Sequence, residues 1–294
     1  MRKKVLIIAN PCSGKCKSKK VIGFITKEFA LAGYITTVCF TECMGDAERL
    51  ARENANGQDL VVCIGGDGTL NELINGLLKA EIKVPVGYIP MGCTNDFARS
   101  MKISKNYKKA VKQILAGKGT NLDICKINDR YFVYVASFGL FSATSSTPKQ
   151  KLKNRLGYLA YVFLGVKELF DAKEVQLSAE VEGEQISGNF IMGCFCNTKS
   201  MGGVVKFKSS QVDMNDGKME MLLIRRPESL HALNSTLRSL KRNKWDNPNI
   251  IMRSISRAQN IKMSSGRWSL DGELYKEDGE VNVQIIKDAV TFKL

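Results

Sequence analysis

Histidine is almost missing from this chain: His231 is the single one in 294 residues. No Cys-x-x-Cys pair is present either, so a zinc centre lacks its usual ligands. Cys194 and Cys196 would share one face of a strand, but two further ligands would still be needed. The nine cysteines are odd in number, and several (Cys39, Cys63, Cys125, Cys194, Cys196) fall inside apolar strand-like runs. They read as reduced thiols used as small apolar side chains. Long hydrophobic runs are missing too: nothing approaches the roughly 20 apolar residues that span a bilayer. The longest apolar opening, Val5–Ala9, is too short for a signal peptide, so the expected location is cytoplasmic. There is no internal repeat, no low-complexity tract, no Walker A loop and no Gly-x-Gly-x-x-Gly pattern. Acidic residues are scarce beside basic ones, 29 Asp/Glu against 44 Lys/Arg, a net charge of +15. That balance implies an acidic partner such as a nucleotide, a nucleic acid or an anionic membrane. No aromatic–basic interleaving supports nucleic acid. Residues 225–257 alone carry eight Lys/Arg against Glu228 and Asp246, and His231, inside that basic stretch, receives no role.

With 44% hydrophobic residues the chain can bury a substantial core, and its length favours two domains. Residues 1–122 alternate strands with helices. Strands are expected at Val5–Ala9, Ile35–Thr41, Leu60–Ile64 and Val86–Ile89, and helices at Lys17–Ala32, Asp46–Asn54 and Thr69–Ala80. This pattern specifies an open, Rossmann-like α/β domain with a parallel sheet covered on both faces. Residues 123–294 read instead as a mainly antiparallel β-sandwich. Its expected strands are Asp123–Asn128, Tyr131–Phe138, Val175–Val181, Gln185–Cys196, Lys218–Ile224, Gln259–Met263, Trp268–Tyr275 and Val281–Ile286. Helical insertions are expected at 149–171 and 228–243, and a return of the last strand to the first domain is left open.

The strongest chemical signal is Gly65-Gly66-Asp67-Gly68-Thr69, between an apolar strand and a helix. Glycines let backbone amides approach phosphate oxygens, and a helix N-terminus favours negative charge. Asn10-Pro11-Cys12-Ser13-Gly14-Lys15 follows the first strand, and Pro90-Met91-Gly92-Cys93-Thr94-Asn95-Asp96-Phe97 follows the fourth. Open α/β sheets place ligands at the carboxyl ends of their strands, so three small-residue loops there point to one phosphate pocket.

Taken together these segments resemble the diacylglycerol, sphingosine and bacterial lipid kinase family. The shared motifs are Asn10-Pro11-x-Ser13-Gly14, Gly65-Gly66-Asp67-Gly68-Thr69-Leu70-Asn71-Glu72, Gly92-x-Thr94-Asn95-Asp96-Phe97-Ala98-Arg99 and Asp271-Gly272-Glu273, in order along essentially the whole chain. The resemblance implies an ATP-dependent lipid kinase, most simply of diacylglycerol. It implies that Asn10, Ser13, Gly14, Thr41, Gly65, Gly66, Gly68, Thr69, Thr94 and Asn95 hold ATP. Asp67 and Asp96 would organise a catalytic Mg²⁺ through water, and Glu273 would be the general base. From local sequence, Asp271-Gly272 is equally a hairpin turn with Glu273 at its exit. A structural Mg²⁺ near Asp216-Gly217-Lys218, with Asp213 and Lys218 contributing, is also implied; the alternative is a turn without metal. The family usually reads Gly-Thr-x-Asn-Asp where this chain has Cys93, a thiol for a hydroxyl. If that hydroxyl donates to a phosphate, the exchange costs about 1 kcal/mol of nucleotide binding.

A lipid kinase must touch a membrane. Lys149, Lys151, Lys153 and Arg155 precede Leu156, Leu159, Val162, Phe163, Val166, Leu169 and Phe170 at helical spacing, which suits an amphipathic helix on an anionic leaflet. The expected partners are thus a lipid substrate and the inner membrane face, met peripherally, with a homodimer left open. Competing readings are a kinase of another lipid, a polyol or NAD, and a non-catalytic nucleotide- or lipid-binding regulator.

Overall fold

The computed structural model describes residues 2–93, 95–140, 173–198, 200–201, 205–206 and 213–294. The chain divides into two compact units, Met1–Ile124 with Ile286–Leu294, and Cys125–Ile285.

The first unit winds strand and helix alternately: β1 (Lys3–Ala9), α1 (Ser13–Leu31), β2 (Tyr34–Phe40), α2 (Asp46–Asn54), β3 (Leu60–Gly65), α3 (Asp67–Lys79) and β4 (Val86–Pro90). Short α4 (Asp96–Ser100) and α5 (Tyr107–Ala116) lead into β5 (Gly119–Ile127). The parallel order is β2-β1-β3-β4. β3 and β4 are buried along their whole length, as a sheet covered on both faces requires. Because β2 and β3 flank β1 on opposite sides, a crevice opens at the carboxyl ends of β1 and β3. Helix α3 begins at Asp67, two residues before the expected Thr69, and Gly66 is its extended N-cap. Helix α5 is an addition to the expected elements: its short stretch of Lys108, Lys109 and Lys112 is held by the Asn106 side chain, which accepts from the amides of Lys108 and Lys109.

The second unit is antiparallel. It contains β6 (Arg130–Phe132), β7 (Val135–Gly139), β8 (Val175–Val181), β9 (Glu184–Phe190), β10 (Met192–Cys196), the short β11 (Ser200–Met201) and β12 (Val205–Lys206), and β13 (Met219–Ile224). After α6 (Leu230–Arg242) come β14 (Ile250–Ile255), β15 (Arg257–Met263), β16 (Arg267–Leu270), β17 (Glu273–Lys276) and β18 (Val281–Lys293). One sheet runs β14-β13-β10-β7-β16-β17; a second includes β18, β15, β8 and β9. β8 alternates buried Val175, Leu177, Ala179 and Val181 with outward residues. These pack with Phe138, Phe195, Trp268 and Met221 of the six-stranded sheet in one core.

Three expected single strands are each two. Tyr131–Phe138 breaks between β6 and β7, Gln185–Cys196 between β9 and β10, and Trp268–Tyr275 folds back at Asp271-Gly272. β18 runs seven residues past the expected Ile286, and its Phe292 pairs in parallel with Val86 of β4.

Candidate active site

In the first unit, the loops after β1, β3 and β4 lock onto one another. Asn10 ends β1: its amide donates to Ile64 O (2.9 Å), its Oδ1 accepts from the Cys12 amide (2.9 Å), and its Nδ2 reaches Thr69 Oγ1 (3.3 Å). Ser13 opens α1 with its amide on Asn10 O (3.2 Å). Gly14 has φ +62°, and a Cβ there would stand 3.0 Å from Met91 O. Thr41 is buried just past β2, its amide on Ala9 O.

The glycine loop makes the tightest approach. A Cβ on Gly92 would fall 2.6 Å from Gly66 Cα, and Met91 donates its amide to Gly65 O (2.7 Å). Two bare backbones therefore meet edge to edge, and any side chain would push them apart. Gly68 and Thr69 continue into the first turn of α3, and Thr69 is buried. The amides of an N-terminal turn face outward for an anion.

Asn95 closes the β4 loop. Its backbone is left-handed (φ 53°), Oδ1 accepts from the Gly92 amide (2.9 Å) and Nδ2 donates to Gly92 O (2.7 Å). Thr94 lies outside the described residues. Asp67 bridges the two loops: its Oδ2 accepts from the Asp96 amide (3.0 Å) and its Oδ1 from the Phe97 amide (3.4 Å), at the start of α4. Burial pushes the Asp67 carboxyl above the usual range, the amides opposing and the Asp96 charge adding to it. Asp96 pairs with Arg99 at 3.0 Å. The sequence-predicted Asn10, Ser13, Gly14, Gly65, Gly66, Asp67, Thr69, Asn95 and Asp96 are thus tied through adjoining loops.

Glu72 carries a function that the sequence did not disclose. This buried side chain of α3 accepts from the amides of Gly45 (2.8 Å) and Ala47 (3.1 Å) and so caps the start of α2. An acidic residue on the buried stripe of a helix was the available signal.

In the second unit, Asp271 (φ 50°) and Gly272 (φ 94°) form the turn of the β16–β17 hairpin, and Glu273 is the half-buried first residue of β17, opposite Leu270. Two left-handed residues are what a tight hairpin of this hand needs. Asp271 is held from behind. Its carboxylate accepts from the amides of Val133 (2.6 Å), Tyr134 (3.0 Å) and Val135 (2.9 Å), and Tyr134 Oη donates to its carbonyl (2.9 Å). These bonds split the segment expected as one strand, because the amides between β6 and β7 turn to a carboxylate instead of a neighbouring strand. Glu273 is consequently mounted on a fixed turn.

The implied structural metal would rest on two aspartates. Asp213 Oδ1 accepts from the Asn215 amide (3.2 Å) and Asp216 Oδ1 from the Lys218 amide (2.9 Å). Each keeps a second oxygen, and hard oxygen donors suit Mg²⁺ with carbonyls and water completing the shell. Among the described residues, no group of three or more His, Cys, Asp or Glu side chains is placed to hold a metal. Nearby Glu220 is buried in β13, its Oε2 without a hydrogen-bond partner among the described residues, and burial, then the Asp216 charge, pushes its carboxyl up to about 8.

The expected membrane helix at 149–171 lies outside the described residues. Among those described, no helix is long and apolar enough to cross a membrane.

Comparison with known proteins adds an independent line. The family model for the diacylglycerol kinase catalytic domain matches residues 4–127. The chain is 31% identical over 273 residues to a diacylglycerol kinase of Bacillus subtilis (strain 168), covering 92% of this chain and 90% of the relative. It is 35% identical over 228 residues to a diacylglycerol kinase of Staphylococcus aureus (strain MRSA252), covering 76% and 71%. A crystal structure of a diacylglycerol kinase from Bacillus anthracis str. Sterne superposes with a TM-score of 0.79 at 21% identity, over 99% of this chain and 96% of the other. At that identity the likeness speaks for the fold.

Proposed function

The chain belongs to the diacylglycerol kinase family and is a lipid kinase, and from that premise we propose that it transfers the γ-phosphate of ATP to the free hydroxyl of diacylglycerol, giving phosphatidic acid. The observation that carries the reading is the contact of the Gly65–Gly68 and Gly92–Asp96 loops, with Asp67 spanning them. Bare amides at the head of α3 bind the nucleotide phosphates, with Asn10, Ser13, Gly14, Thr41, Thr69, Thr94 and Asn95 around them. Asp67 and Asp96 would supply hard oxygens to hold a Mg²⁺ through water, and the ion would neutralise charge on the phosphates. The lipid hydroxyl oxygen attacks the γ-phosphorus, the bond to the ADP oxygen breaks, and the hydroxyl proton passes to the Glu273 carboxylate. A structural Mg²⁺ at Asp213, Asp216 and the Lys218 carbonyl belongs to the same proposal. So does work at the inner face of the cell membrane, with a homodimer compatible with it.

The test is transfer of labelled γ-phosphate to a panel of lipids in mixed micelles, with NAD and glycerol as soluble acceptors. Labelled phosphatidic acid is expected. Label only in another acceptor reassigns the substrate, and label in none leaves a non-catalytic binding protein.

A further inference from the structure

The basic stretch 225–257 has no part in the catalytic reading. Helix α6 displays Arg238, Lys241 and Arg242, and Lys244 follows its end. Among the described residues no carboxylate forms an ion pair with any of these four. Three of them, Arg238, Arg242 and Lys244, line a single cavity of about 260 Å³ together with Ser235 and Ser239. One carboxylate, Asp246, shares the lining, which leaves it with a net charge of +2.

The helical period explains the convergence. Ser235 and Ser239 stand four residues apart, as do Arg238 and Arg242, so both pairs stack along adjacent rows of one face. The floor beneath them is fixed by a buried side chain. Asn247 donates from Nδ2 to Ser235 Oγ (3.2 Å) and Ser239 Oγ (3.3 Å), while its Oδ1 accepts from the Asn249 amide (3.0 Å). Asn249 Nδ2 in turn donates to Thr236 Oγ1 (3.2 Å). Each serine oxygen is therefore an acceptor from below, and its own proton is left to donate. The cavity gathers two hydroxyl donors, two guanidinium forks and an ammonium around a single acid.

Lys241 and Arg242 would by themselves be ordinary last-turn cations offsetting the helix dipole. Arg238 lies a full turn earlier, where that effect has faded, and the serine pair has no such purpose. The negative end of the helix is also partly satisfied. Leu240 O accepts from the Asn243 amide and Ser239 O from the Lys244 amide, which reduces its opposition to an anion.

We propose that this cavity beside the C-terminal half of α6 is a second, non-catalytic binding site for a phosphate group. Forked guanidinium donors match phosphate oxygens two at a time. The volume, just below that of a drug-sized pocket, accommodates a phosphate group. The same chemistry is presented by free phosphate and by the phosphomonoester headgroup of a membrane lipid, and the site does not depend on the identity of the kinase substrate.

The full chain, with its nucleotide loops saturated by a non-hydrolysable ATP analogue, is titrated with inorganic phosphate. In parallel it is sedimented with phosphatidylcholine vesicles with and without phosphatidic acid. Arg238→Gln with Arg242→Gln is expected to weaken binding of at least one probe about tenfold or more. Arg238→Lys with Arg242→Lys, which keeps the charge and loses the fork, is expected to recover less than half of that loss. Lys241→Gln, outside the cavity, should change binding less than about twofold. Loss with both probes marks a general phosphate site, loss with vesicles alone a headgroup site, and loss with phosphate alone a soluble-anion site. Wild-type binding in the arginine variants, full recovery with lysine, or an equal fall in Lys241→Gln overturns the proposal, the last two because they reveal diffuse charge. Micellar phosphoryl transfer by the same variants should be unchanged, so failure here is separate from failure of the kinase reading.

Discussion

At the scale of single residues, Asp271 and Glu273 are two places apart and, on the proposed reading, have opposite duties. Asp271 satisfies three buried amides, so Asp271→Ala leaves those donors stranded and should cost about 3 kcal/mol or more of stability. Glu273→Ala should cost under about 1 kcal/mol yet lower phosphoryl transfer by about 10²–10⁴. Thermal melts set beside kcat check both; full activity in Glu273→Ala removes it as the base. A second contrast concerns glycine. Gly92→Ala brings a Cβ to 2.6 Å from Gly66 Cα, which should destabilise by about 1–3 kcal/mol and raise the KM for ATP about tenfold or more. Gly23→Ala, on a helix with nothing within 4 Å of the new Cβ, should instead stabilise by about 0.5–1 kcal/mol. Differential scanning fluorimetry with ATP titrations separates these outcomes.

Elements extend the reasoning to pH. The turn between β8 and β9 carries Glu182, whose Oε1 accepts from the Ser256 amide (2.6 Å) and hydroxyl (2.8 Å) in the turn between β14 and β15. Those bonds, the amide first, hold its carboxyl below the usual value. A depressed folded value means stability that is present above the unfolded value near 4.5 and lost as pH falls through the folded one. Glu182→Gln should therefore lower stability at pH 7 by a few tenths of a kcal/mol, small because the pair is exposed. The gap from wild type should close below about pH 4.5, as urea titrations at several pH values would register. Elements also define what could be read in advance. The parallel half was legible because its strands are continuous apolar runs and its phosphate loops are spelled in glycine. The β6–β7 break was not, and the hairpin at Asp271-Gly272 stood only as one of two readings. The apolar run Tyr131–Phe138 continues across the break, and only the carboxylate of Asp271, 137 residues from Tyr134, redirects the amides. Glu72 looked like part of a phosphate motif, whereas its visible work is to cap α2. The partners that decide such cases are distant in sequence.

For the molecule as a whole, a charge of +15 acts through long-range attraction to anionic surfaces, which salt screens. Binding to vesicles with anionic lipid should therefore fall steeply between about 50 and 500 mM salt. Co-sedimentation across that range is the measurement, and unchanged partitioning would remove the electrostatic component. The connectivity of the two units has a different kind of consequence. The second unit is one uninterrupted stretch, Cys125–Ile285, inserted into the first. The first closes only when Phe292, fully buried, packs its ring at a tilt against Phe97 (4.9 Å between ring centres) and pairs beside Val86. The earlier half can therefore be completed only after the whole of the later half has been synthesised. A nonsense codon near residue 286 would leave the antiparallel core nearly whole and strike the nucleotide loops, encoded about two hundred residues upstream.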